Sequence, residues 1–181
     1  MHGGDNTCLH SQLRWVQHTN AWLVEIMGRF EGCPLIRFLG KEELVSDRFG
    51  EKLDESHVSE TLREGLARHA PDARFAMLAF EEETSSYALF IEAGSSRDTA
   101  LLSLADRIEE QLRENHHYRY CRDLGQLGHL RVFRVVRGAA ETYQAVCRSD
   151  GQRAGDIKPV ALHAASDWSR RFDGRFVDPE G

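Results

Sequence analysis

Two apolar stripes with helical spacing, and three dense apolar runs between and after them, set the organisation of the chain. Val58, Leu62 and Leu66 recur every four residues, the signature of one buried helix face over residues 55–69. Asp54 stands before that run as an N-cap, Leu53 and Val58 are spaced for a hydrophobic staple, and Pro71 ends it. Leu101, Leu104, Ala105, Ile108 and Leu112 share the face of a second helix. Ser95-Ser96-Arg97-Asp98 opens it with a capping-box pattern, and Asn115 suits its C-terminal end.

Residues 74–80 and 87–92 predict strands joined through Glu81-Glu82-Glu83, read as a solvated hairpin tip. A polar turn spans 116–129, Val132, Phe133, Val135 and Val136 make a further strand, and residues 139–147 form a third helix with Tyr143, Val146 and Cys147 inward.

Upstream, Leu23, Val24, Ile26 and Met27 predict a strand, residues 28–33 its turn, and residues 35–39 the returning strand, with Pro34 where a missing N–H is tolerated. Asp47 to Gly50 is a turn signal. After Pro159, residues 160–162 predict a short edge strand, and Trp168, Phe172 and Phe176 tuck the chain end onto the body. The expected fold is α+β: a mixed, mainly antiparallel sheet with helices on one face, close to a split βαβ sandwich, preceded by a β-hairpin. The expected organisation is an irregular segment over 1–21, a small domain over 22–165 and a tail over 166–181.

A chain of 181 residues can bury one good core. With 41% hydrophobic and 29% charged residues and a net charge of −6, it offers no broad basic field for nucleic acid or anionic lipid. Cys8, Cys33, Cys121 and Cys147 make no C-x-x-C pair, so neither a zinc framework nor a disulfide-stapled scaffold is suggested, and reduced thiols in a cytoplasm are expected. No apolar run reaches the roughly 18 residues of a membrane span, and no metal site is expected, Cys8, His10 and His18 matching no ligand spacing.

Local signatures of hydrolysis, phosphate cradling and hydride transfer are absent: no G-x-S-x-G, P-loop, H-E-x-x-H or Gly-rich dinucleotide loop. A self-sufficient enzyme is not indicated. His116-His117 at a helix end reads as a capping feature or a ligand pair. Arg119, Arg122, Arg131, Arg134 and Arg137 are numerous enough to hold an anion, although alternation separates Arg131 from Arg134.

Three sets of residues recur in a known order. Gly28, Pro34, Arg37, Phe38 and Lys41 fit a pattern of G, five residues, P and x-x-K/R-F; Asn115, Tyr118, Arg119 and Arg122 fit N-x-x-Y-R-x-x-R. Gly128, Leu130, Gly138 and Lys158 follow in step. Together they resemble the C-terminal domain of the auxin-responsive acyl acid amido synthetases, of bacterial type, which are acyl-adenylate-forming enzymes of the firefly luciferase superfamily. The superfamily's hinge pattern G-R-x-D, six residues, G-x-x-[LI] has its counterpart in Gly40-Lys41-Glu42-Glu43, Gly50 and Leu53.

The resemblance implies that Lys158 is the adenylation lysine, Glu43 the hinge acid, and Tyr118, Arg119 and Arg122 structural or anion contacts. It implies ATP and magnesium for the complete enzyme, with neither bound by this chain alone. It further implies acyl acid and amine substrates and a large adenylate-binding domain as partner, in the same chain or another. The departures are Trp22 where the family has its ribose-binding aspartate, Pro159 one position early, and Ala140 in place of an aromatic. A second reading therefore stands beside the first: a stand-alone binding or regulatory module that keeps the fold without the chemistry.

Overall fold

The computed structural model describes residues 22–30, 33–41 and 45–178. The backbone divides into two compact units, Met1–Glu42 and Glu43–Gly181. In the first, β1 (Trp22–Phe30) and β2 (Cys33–Lys41) form the antiparallel hairpin that the pattern predicts. Its strands are longer than expected. Gly28 lies inside β1 at a register shift with φ near +152°, a bulge conformation natural to glycine, and not in the turn. The expectations for residues 1–21 and for Glu43 fall outside the described residues.

In the second unit a small antiparallel pair, β3 (Val45–Ser46) and β4 (Leu53–Asp54), leads into α1 (Glu55–His69). The Asp54 carboxylate accepts from the His57 N–H at 2.8 Å, the cap that the sequence predicts. The hairpin β5 (Ala73–Glu81) and β6 (Ser86–Ala93) follows, then α2 (Asp98–Leu112), α3 (His116–Asp123), β7 (Arg131–Val135), α4 (Ala139–Ser149), β8 (Leu162–His163), a 3-10 turn over Trp168–Arg170, and β9 (Gly174–Phe176). The sheet order is β8-β5-β6-β7-β9. The β5/β6 and β7/β9 pairs are antiparallel, and β6/β7 and β5/β8 are parallel.

The α+β class and the leading hairpin are as the hydrophobic pattern implies. Strand alternation sends Leu78, Phe80, Tyr87, Leu89 and Ile91 into a core with α1 and α2, where Gly65 lets the two helices approach: a Cβ there would lie 2.7 Å from Leu104 Cδ1. Met77, Ala79, Ala88, Phe90, Phe133 and Val135 face a second core that the sequence expectation did not include, closed by Tyr143 and Cys147 of α4 with Trp168 and Phe172. Strands buried on both faces lose their alternation and read as continuous apolar runs, as β5 and β6 do.

Three local expectations are corrected. Ser95 and Ser96 do not cap α2; their hydroxyls donate to the Asp72 carboxylate at 2.7 and 2.6 Å, a charge-assisted bond that turns both side chains towards Asp72 and away from the helix end. The helix instead begins after Arg97, with Asp98 of its first turn ion-paired to Arg134 and Arg175. Glu81 is not part of a solvated tip but is buried, accepting from the Ser169 N–H and hydroxyl. The supposed polar turn after Asn115 contains α3, and Asn115 is its N-cap, accepting from the His117 and Tyr118 N–H groups at 2.9 and 3.3 Å. His116-His117 therefore opens α3 and does not close α2.

Candidate functional site: the Lys158 loop and the Glu109 brace

Residues 151–156 after α4 are all exposed, and the chain returns to the body through half-buried Ile157, exposed Lys158 and Pro159, and half-buried Val160. Lys158 makes no ion pair with any described residue. Its backbone, by contrast, is tied down: the Tyr143 hydroxyl of α4 donates to the Lys158 carbonyl at 3.1 Å. Beyond it, Ala161 N–H donates to Glu55 at 3.2 Å, Leu78 N–H to the Ala161 carbonyl at 2.7 Å, and β8 joins the sheet edge. Lys158 is thus where an exposed loop meets an anchored segment.

Tyr118 and Arg122 converge on a residue that the sequence reading did not single out. Glu109 of α2 is buried and accepts from the Tyr118 hydroxyl at 2.9 Å, Arg122 Nε at 2.6 Å and the Leu130 N–H at 3.1 Å. Arg122 Nη1 also donates to the Leu127 carbonyl at 2.5 Å. The cluster joins α2, α3 and the entrance to β7. Burial first, then the adjacent Glu109 charge, holds the Tyr118 phenol protonated far above its usual range. Arg119 is exposed, with Nη2 3.3 Å from the His116 ring. A clue to Glu109 was available: an arginine four residues after a buried tyrosine on a short helix needs an acidic partner, and Glu109 lies one step off the apolar stripe of α2.

The arginines do not converge on one point. Arg122 is taken by Glu109, Arg134 by Asp98, and Arg131 lies 3.9 Å over the Phe176 ring. Near the start of the unit, Glu51 is buried and accepts from the Tyr87 hydroxyl at 2.6 Å and from the Phe49 and Arg48 N–H groups. Burial alone would raise its pKa, but these three donors outweigh it and the net shift is downward.

Among the described residues no group of three or more His, Cys, Asp or Glu is placed to hold a metal ion. No described helix is long and apolar enough to cross a membrane.

The model of the GH3 family C-terminal domain matches residues 55–166, more than half of the chain. The chain belongs to the GH3 family. The match begins at α1 and takes in the Glu109 brace and the Lys158 loop, so both are parts of a GH3 C-terminal domain. Two solved structures share the fold. "GH3.15 acyl acid amido synthetase" aligns with a TM-score of 0.57 at 18% identity, covering 79% of this chain and 28% of that one. "AtGH3.15 acyl acid amido synthetase in complex with 2,4-DB" aligns with the same score and identity over 78% and 27%. The chain thus spans a little over a quarter of the length of these GH3 proteins. No curated protein matches it in sequence.

Proposed function

We propose that this GH3 domain is the small lid of an acyl acid amido synthetase-like, adenylate-forming enzyme, and that it works only against a large domain that binds ATP and the acyl acid. The observation that carries the reading is Lys158, an exposed ammonium without an ion-pair partner among the described residues, at the anchored end of an exposed loop. In adenylation a carboxylate oxygen attacks the α-phosphorus of ATP and pyrophosphate leaves. Negative charge gathers on the phosphoryl oxygens as the bond forms, and a long cation brought in by domain closure neutralises it. Lys158 is that cation and Glu43 the hinge acid about which the lid turns. Tyr118 and Arg122 brace the domain through Glu109, and Arg119 faces solvent. Magnesium belongs to the large domain. The acceptor is an amine, and the enzyme works in the cytoplasm.

The test is ATP–pyrophosphate exchange with a panel of carboxylic acids, 2,4-DB included, using the purified chain alone and mixed with a GH3 large domain. The chain alone should be inert, the mixture active, and Lys158→Ala should lower the mixture's rate at least about 100-fold. Exchange by the chain alone, or a mixture indifferent to Lys158→Ala, overturns the reading.

A further inference from the structure

Lys158 is useful to a reaction in another domain only if its Cα returns to one place each time the lid closes. Its side chain is long and flexible, so the fixed point must come from the backbone. On the N-terminal side Ile157 packs against the second core by apolar contact, which is not directional. Residues 151–156 are exposed, and their backbone bonds are the turn from Asp156 N–H to the Arg153 carbonyl and the helix-end bonds of Gly151 and Gln152 to α4. On the C-terminal side the first tether is the Tyr143 hydroxyl on the Lys158 carbonyl itself. Beyond Pro159, the Ala161 N–H donates to the Glu55 carboxylate at 3.2 Å, so the chain is tied on both sides of that proline. Pro159 has no N–H of its own to contribute.

The phenol is in turn held by its surroundings. The Tyr143 ring stacks on Trp168 with centroids 5.5 Å apart and planes 18° from parallel. His163 stands edge-on to Tyr143 at 5.7 Å, and its Nδ1 accepts from Trp168 Nε1 at 3.2 Å and from the Ala165 N–H at 3.0 Å. Phe75 and Phe172 close the other side of the cluster. Burial keeps the phenol protonated well above its ordinary range, so it remains a donor at any working pH.

We infer that Tyr143 is a positioning residue for Lys158, its hydroxyl latching the backbone at Pro159 so that the ammonium swings from a fixed base. The inference rests on the lid reading above, and Tyr143→Phe tests it by removing one oxygen while keeping the ring in its stack. Hydrogen exchange on the 181-residue chain should show the Ala161 amide, whose bond to Glu55 is the next along the chain, exchanging about tenfold faster in the variant, with α4 and β5 unchanged. In the reconstituted mixture, with the acid that the panel identifies, Tyr143→Phe should lower the turnover of pyrophosphate exchange about tenfold and leave half-saturating ATP where it was. A purely structural tyrosine would not split the two constants in that way.

Unchanged exchange of the Ala161 amide removes the latch, whatever Lys158 does. Faster exchange with undiminished turnover, while Lys158→Ala abolishes activity, leaves the lysine reading standing and overturns the positioning role. A mixture indifferent to Lys158→Ala brings down the lid reading and this inference with it.

Discussion

Glu109 and Arg122 form the most demanding pair in the domain, with side chains only 5% and 14% exposed. A buried ion pair adds little over a well-packed apolar pair, but removing one member strands the other. Glu109→Ala leaves the Arg122 guanidinium, the Tyr118 hydroxyl and the Leu130 N–H without their acceptor. It should cost about 3–5 kcal/mol in urea unfolding. At the same scale, acid sensitivity arises from groups whose folded pKa lies below the ordinary value: His163 and Glu51 in the interior, and Asp54, Asp72 and Asp98 nearer the surface. His163 is held neutral, first by burial. Above its ordinary value of 6.5 folded and unfolded forms are alike; below it the unfolded chain takes the proton first, and stability falls until the folded pKa is passed. Glu51, depressed from 4.5, contributes stability that is complete above that pH and is lost as pH drops towards its folded pKa. Thermal unfolding followed against pH should therefore show stability falling below about 6.5 and falling further below about 4.5, and Glu51→Gln should make the second fall shallower.

The elements divide by how much of their stabilisation is local. In α1 the cap, staple and four-residue stripe are written in adjacent residues, so its bounds were legible from Asp54 to His69. The opposite case is α3, with eight residues and only Tyr118 and Cys121 buried. Two inward positions are too few to establish a period, and isolated helices of that length do not hold in water. Its start depends on Asn115, whose side chain caps the helix and also donates to the Lys52 carbonyl at 3.1 Å. Asn115→Ala should cost about 1 kcal/mol by chemical denaturation, and Asn115→Gly several tenths less. The serines before α2 misled for a related reason. A capping box is a neighbourly pattern, and Asp72, distant in sequence, took their hydroxyls. For the candidate site, Lys158 was singled out from motif spacing, whereas Glu109 and Tyr143 bond to residues 9 to 21 positions away and carry no local signature.

Across the whole molecule the sheet is covered on both faces, and the second cover comes from α4 and the last ordered turn together. Trp168 is fully buried, stacked between Tyr143 and Phe172. Trp168→Ala should cost about 3–5 kcal/mol and speed exchange at β5 and α4, measured by denaturation and amide exchange. The bounds of the family match, 55 and 166, fall inside these supports. Glu51 and Leu53 lie before the first bound, and Trp168, Phe172 and β9 lie after the second. A fragment trimmed to those limits keeps Asn115, Tyr118, Arg122 and Lys158 and forfeits the floor beneath them. Whoever shortens the chain for expression should carry it from about Val45 to Asp178, or expect a sticky, half-open sandwich whose lysine loop has nothing to stand on.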